Sequence, residues 1–269
     1  MDRIFRYILF FSFGSLLLSN CGSQKKEEQQ EWIKLFNGKD INDWTAKINH
    51  YEPGDNFGNT FRVEDGMIKV RYDQYGEHFN DRFAHLYYNQ LFSKFHLIVE
   101  YRFTGDYMKD APEYIRLNSG VMFHSQDPRS MLKEQNWPIS VEMQFLADLE
   151  DGNPRPTGNM CSPGTEIFYK GKLYNGHCLN STSRTFKKDE WVKAELIVLG
   201  DSLITHMING DTVLQYSKPS MGGGVVAGYD SAIWKPGMPL TSGFIALQSE
   251  GQPIDFRRVE LLNLEKERN

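Results

Sequence analysis

A basic excess, the nucleotide-binding glycine motifs, long helical periods and bilayer-spanning apolar runs are all missing from this sequence. Each absence removes a class of function. The chain carries 30 Lys and Arg against 35 Asp and Glu, a net charge of −5, and no basic stripe stands out. A nucleic-acid backbone finds no electrostatic footprint here, so no nucleic-acid partner is expected. No GxGxxG, P-loop or GxSxG pattern follows a strand-like segment, which leaves nucleotide binding and α/β-hydrolase chemistry without support. Met221-Gly222-Gly223-Gly224 is rich in glycine, but no helical pattern follows it to supply a phosphate-binding N-terminus. No stretch keeps a 3.6-residue apolar period for three clean turns, so a helical bundle is excluded.

Cysteine is scarce as well: there are three. The first, Cys21, closes an N-terminal signal. Arg3 and Arg6 precede an apolar run over residues 7–18, too short to span a bilayer with margin, and Leu18-Ser19-Asn20-Cys21 follows. Small residues before a cysteine resemble the lipobox of bacterial lipoproteins; the alternative is an ordinary signal with a chance cysteine. The expectation is a signal over residues 1–20, lipidation of Cys21 and a polar tether over 21–31 (CGSQKKEEQQE) that cannot bury apolar surface. The protein would then sit in the bacterial cell envelope, held by its lipid at the outer membrane on the periplasmic or surface side. Acyl chains on Cys21 would make that membrane its second partner.

Cys161 and Cys178 remain, an even pair in an exported chain, and a disulfide between them is expected. The segment that separates them is full of Gly and turn residues. The alternative is zinc ligation together with His177, which lacks further close partners.

What the sequence has in abundance is strand pattern. Apolar alternation recurs over residues 61–70, 95–103, 119–124, 139–146, 191–199, 203–208, 212–216, 243–247 and 256–264. Asp65-Gly66 and Asn209-Gly210 are hairpin turn signals. So many short strands split by turns imply one all-β domain, a sandwich or a barrel, over residues 32–264.

Several segments together resemble the 3-keto-disaccharide hydrolase family. They are Leu35-Phe36-Asn37-Gly38-Lys39-Asp40 with Trp44, residues 61–66 (FRVEDG), 119–123 (SGVMF), 141–144 (VEMQ), Trp191, Ile208-Asn209-Gly210, 243–251 (GFIALQSEG) and 254–257 (IDFR). The resemblance implies a concanavalin A-like jelly-roll sandwich of two antiparallel sheets. It also implies cleavage of glycosides whose glucose unit carries a ketone at C3. Such a ketone acidifies the C2 hydrogen: a base removes it, the enolate expels the C1 group, and water adds back. The rivals are a non-catalytic carbohydrate-binding lipoprotein and an ordinary glycosidase with two carboxylates across a cleft.

That route needs a base near C2, an acid for the leaving group and a stabiliser for the enolate oxygen. Strand parity over 139–146 puts Val141, Met143 and Phe145 on one face and Glu142 and Gln144 on the other. Glu142 is therefore a candidate base and Gln144 a candidate sugar ligand, unless both simply face solvent. His206, flanked by Ile204 and Ile208 on its own face, and His124, at a strand end, are the other candidate bases by their titration range. Gln248 and Glu250 share a face and could bind sugar hydroxyls or serve only as turn residues. Arg257 could steady an enolate or form a surface ion pair. Trp137, before Pro138, and Trp234, before Lys235-Pro236, could stack on a sugar ring. No cofactor is required by this route; Ca²⁺ in the acidic loop Asp148-Leu149-Glu150-Asp151-Gly152 is the metal left open.

Overall fold

The computed structural model describes residues 31–265. The signal expected over 1–20, the lipid site at Cys21 and all but the last residue of the tether lie outside the described residues. Among the described residues, no helix is long and apolar enough to cross a membrane.

The described residues form seventeen strands: β1 (Trp32–Lys34), β2 (Trp44–Ile48), β3 (Phe61–Glu64), β4 (Met67–Val70), β5 (Ala84–Phe92), β6 (Lys94–Phe103), β7 (Asn118–Ser125), β8 (Val141–Leu146), β9 (Asn159–Cys161), β10 (Thr165–Tyr169), β11 (Lys172–Leu173), β12 (Cys178–Leu179), β13 (Val192–Leu199), β14 (Ile204–Ile208), β15 (Asp211–Met221), β16 (Gly243–Ser249) and β17 (Ile254–Asn263). They form two antiparallel sheets. One runs β11-β10-β15-β14-β13-β6-β17-β4-β3, with β1 also on β17; the other runs β12-β9-β8-β7-β16-β5-β2. Neighbours in space are often distant in sequence, as in β7 beside β16 and β6 beside β17, which is the crossing pattern of a jelly roll.

The period-2 pattern builds the core. Val121, Phe123, Val141, Met143, Phe145, Ile245 and Leu247 of the second sheet face Leu97, Val99, Leu196, Val198, Ile204 and Leu261 of the first, all buried. Phe145 stacks on Tyr101 across the gap with ring centroids 4.0 Å apart. Each such side chain contributes roughly 1.5–3 kcal/mol through burial. Both expected hairpins form: Glu64 pairs Met67 around Asp65-Gly66, and Ile208 pairs Asp211 around Asn209-Gly210, with positive φ at all four turn residues.

The alternation did not reveal β5. Its inner face carries Ala84 and Leu86, but its outer face carries His85 and Tyr87, and all four are buried. A strand covered on both faces loses its polar–apolar rhythm. The cover is the connection from β7 to β8, which folds over the outer face and packs Met131 on Tyr87, Met122 and Ala246.

Candidate active site

Across the outer face of the second sheet, register lays down two neighbouring rows. In one, Gln248 of β16 lies opposite His85 of β5 and Gly120 of β7 opposite Gln144 of β8; in the next, Met122 of β7 lies opposite Glu142 of β8, and Glu142 opposite Cys161 of β9. Cys161 in turn faces Cys178 of β12. The expected disulfide joins them, so neither thiolate is left for zinc, although the His177 ring lies within 4.8 Å of both sulfurs.

Glu142 and Gln144 do occupy the face opposite the core. Glu142 is buried, only 6% exposed. Its side chain lies over Gly120, where a Cβ would stand 2.6 Å from the carboxyl Oε1. Glycine at that position is what makes room for the carboxyl group. Gln144 Oε1 accepts from Asn159 Nδ2 at 3.1 Å.

Glu250, at the turn after β16, brings a second buried carboxyl to the same place. Its Oε1 accepts from Trp137 Nε1 at 2.8 Å and from Gln248 Nε2 at 3.0 Å. Its Oε2 and Gln248 Oε1 are buried without a partner. Trp137 is held for this contact by its loop: Gln135 Nε2 donates to the Trp137 carbonyl, and the Trp137 ring packs on Phe83.

Burial raises both carboxyl groups. Glu142 rises well above the usual range through burial and then through the charge of Glu250. Glu250 rises to about 7 through burial, with the Trp137 hydrogen bond pulling against it. With both carboxyls buried together, ionising one disfavours ionising the other, so the pair favours a state in which one of them holds a proton. They line a cavity of about 420 Å³ together with Tyr114, Asn118, Trp137 and Gln144. His177, Val225 and the disulfide close its far side.

The sequence reading missed Tyr114, Asn118 and His177 as lining residues, and it missed His85. His85 is fully buried beside Gln248, with both ring nitrogens unpartnered. Burial, and then the charge of its cross-strand neighbour Lys47, lower it to about 3, so its imidazole is neutral.

Three proposed site residues lie elsewhere. His206 points between the sheets: its Nδ1 donates to the Gly158 carbonyl at 2.9 Å and its Nε2 accepts from Tyr216 Oη at 2.8 Å. Burial lowers it to about 4. With both nitrogens committed inside the core, it is a structural residue, as its shared face with Ile204 and Ile208 implies. His124 is buried with its Nε2 against the Gly200 carbonyl at 3.0 Å, under the β13–β14 turn and away from the cavity lining. Arg257 lies on the other sheet, bound to Glu100 at 2.6 Å and stacked over the Trp191 ring at 4.2 Å. The surface ion pair is the reading that fits it. Trp234 packs on Tyr229 with ring centroids 4.9 Å apart. In the acidic loop, Asp148 and Asp151 cap the amides of Glu150 and Asn153. Asp148 and Glu150 also share a separate cleft with Lys109, Arg116 and Lys188.

The two antiparallel sheets and their crossing strands place the protein among the jelly-roll folds. The chain belongs to the family of the 3-keto-alpha-glucoside-1,2-lyase-like domain, whose model matches residues 31–262. It is similar to two crystal structures from Parabacteroides distasonis, each described as a "putative glycosyl hydrolase". The first is 20% identical, with a TM-score of 0.52, and the match covers 87% of this chain and 100% of that one. The second is 18% identical with the same TM-score, covering 87% and 94%. The carbohydrate-binding module CBM66 from Bacillus subtilis is 11% identical, with a TM-score of 0.46 over 82% and 95%. At these identities the two Parabacteroides distasonis structures speak for the fold alone. No curated protein sequence matches the chain.

Proposed function

We propose that this protein cleaves 3-keto-glucosides by elimination across C1 and C2, with Glu250 as base and Glu142 as acid. The observation that carries the reading is the buried carboxyl pair, one oxygen of which, Glu250 Oε2, has no partner. Trp137 and Gln248 hold the other oxygen of Glu250 and favour its ionised form. A base poised near neutrality is the efficient one at physiological pH. Glu142, raised by burial and by the charge of Glu250, is the partner that keeps its proton.

The order across the sheet gives each group its side. The sugar ring lies in the cavity that the two carboxyls line, with Glu250 on the β16 side and Glu142 reaching from β8 over Gly120. Glu250 takes the proton from C2, and the electron pair forms the enolate of the C3 ketone. The enolate collapses to a C1–C2 double bond, the C1–O bond breaks, and Glu142 protonates the departing oxygen. Water then adds across the double bond, its hydroxyl to C1 and a proton to C2, which completes a net hydrolysis. The Gln144 and Asn118 amides line the same cavity and serve the ketone and hydroxyl oxygens.

This route uses protein groups alone; a Ca²⁺ at the 148–152 loop would act on structure, and chelation tests it. The N-terminal apolar run and Cys21 support attachment to the envelope membrane, for which palmitate labelling of the expressed chain is the check.

Two carboxyls in one cavity also suit an ordinary glycosidase passing through an oxocarbenium ion. Turnover of a 3-keto-glucoside in D₂O, followed by NMR, separates the two. Deuterium at C2 of the product supports elimination. Cleavage without C2 exchange overturns it in favour of the glycosidase, and binding without cleavage overturns it in favour of a lectin.

A further inference from the structure

Beside the carboxyl pair, the outer face of the second sheet carries a row of buried polar side chains. Lys47 of β2 pairs His85 of β5, and His85 pairs Gln248 of β16. All three are buried. On the other side of Gln248, Leu247 pairs Val121, which brings Gly120, and the Glu142 carboxyl above it, level with Gln248. Gln248 therefore stands between an imidazole and a carboxyl group, and its Nε2 donates to Glu250 Oε1 at 3.0 Å.

Three polar atoms of this row are left over. Among the described residues, both ring nitrogens of His85 and Oε1 of Gln248 are without a hydrogen-bond partner. Such atoms destabilise a fold, and replacing the group by an apolar one of the same shape is commonly neutral or stabilising. A phenylalanine ring would fill the place of His85 without that cost. The leftover atoms are complementary, a ring N–H and an amide oxygen. Residues directly opposite in an antiparallel pair have Cβ atoms about 4.5–5.5 Å apart, and the terminal torsion of histidine is soft. A modest turn of the ring brings an N–H onto Gln248 Oε1.

The neighbours of His85 are engaged elsewhere. Lys47 Nζ donates to the Ile48 and Lys133 carbonyls, each at 3.1 Å. Tyr87, next on the same face of β5, turns its hydroxyl to Met131 and Ser125. Burial and the Lys47 charge keep the imidazole neutral, with one N–H to give. We propose that His85 is a positioning residue for the base: it donates to Gln248 Oε1 and so holds the amide with Nε2 toward Glu250. An amide free to turn over would present Oε1 to the carboxylate and disfavour its ionised form. His85 is not among the residues that line the cavity, so it acts through Gln248. The inference rests on the reading of Glu250 as base.

The titration of Glu250 tests this without turnover. Its ¹³C carboxyl signal, assigned by its loss in Glu250→Gln, is followed against pH in the full chain and in two variants. His85→Phe keeps a ring and removes both nitrogens; His85→Gln keeps an N–H donor. In His85→Phe, the Glu250 titration and the acid limb of kcat/KM should both move to higher pH. Below that limb kcat/KM should fall by about tenfold, the order of one hydrogen bond to a charged group. His85→Gln should bring both back toward the wild type. An imidazole with a structural role alone leaves the limb in place. An unmoved Glu250 titration in His85→Phe overturns the proposal, and so does an equal shift when His85→Phe is made in a Gln248→Met background, where no amide remains to be held. Should His85→Phe not fold, the ¹⁵N signals of the His85 ring decide: they should shift in Gln248→Met, and unchanged signals overturn the proposal. If Glu250→Gln leaves C2 exchange intact, the base reading fails by itself, and the Glu250 titration in His85→Phe still decides whether His85 positions that carboxyl.

Discussion

The carboxyl group of Glu142 occupies the space that a side chain on Gly120 would fill, with Oε1 2.6 Å from where that Cβ would stand. Two adjacent strands thus make one position, β8 supplying the carboxyl group and β7 the absence of a side chain. Gly120→Ala must displace Glu142 or the backbone. We expect a loss of about 1–3 kcal/mol in stability, typical of overpacking, and a fall in kcat larger than that loss explains. Denaturant unfolding and kinetics on one preparation check both.

Removing the base should be the most damaging single change. Glu250→Gln keeps an oxygen for the Trp137 and Gln248 donors and cannot accept the C2 proton. A loss of about 10²–10⁴ in kcat is expected, with C2 deuterium exchange falling in parallel. Equal exchange in the variant and the wild type would give the proton transfer to another group.

Trp137→Phe keeps a ring against Phe83 and removes the indole donor to Glu250 Oε1. That hydrogen bond holds Glu250 below where burial alone would put it. Its loss raises the carboxyl further, so less base is ionised at a given pH. The acid limb of the kcat/KM–pH profile should move to higher pH, while activity at alkaline pH is largely retained. An unmoved limb would assign it to another group.

How much of this was legible before the structure differs from residue to residue. Parity over 139–146 placed Val141, Met143 and Phe145 inside and Glu142 and Gln144 outside, because one face of β8 is core. The two hairpins and the Cys161–Cys178 pair were equally readable, since turn chemistry and cysteine pairing are local or nearly so. The meeting of Glu250 with Glu142 was not, because it depends on β16 lying beside β7, a long-range pairing without sequence periodicity. His206 misled through its titration range; its strand neighbours Ile204 and Ile208 already marked the core face. His85 went unseen because β5 is covered on both sides.

His206 gives a contrasting prediction. His206→Ala empties a core site and leaves the Gly158 carbonyl and Tyr216 hydroxyl without their partner. An unsatisfied buried pair and a cavity together cost about 2–5 kcal/mol. Stability should fall accordingly, while the pH profile of whatever protein remains folded keeps its shape. A displaced limb with unchanged stability would restore His206 as a catalytic base.

The carboxyl pair should also make the fold pH-sensitive in a direction opposite to most proteins. Glu250 titrates near 7 in the folded state against about 4.5 when exposed. Its neutral form is therefore favoured by folding. Below the unfolded value both states hold the proton and burial of the group is tolerated in full. As pH rises through the folded value, the native state must carry a buried charge beside Glu142, and that stability is lost. Glu142, raised for the same reason, adds to the loss in the same direction. Glu142→Gln should therefore be nearly neutral at pH 4 and stabilising at pH 8, by on the order of 1–3 kcal/mol, while turnover falls. Urea unfolding at the two pH values measures this. A variant no more stable than the wild type at pH 8 would mean that the pair is solvated and that the buried acid–base assignment is wrong.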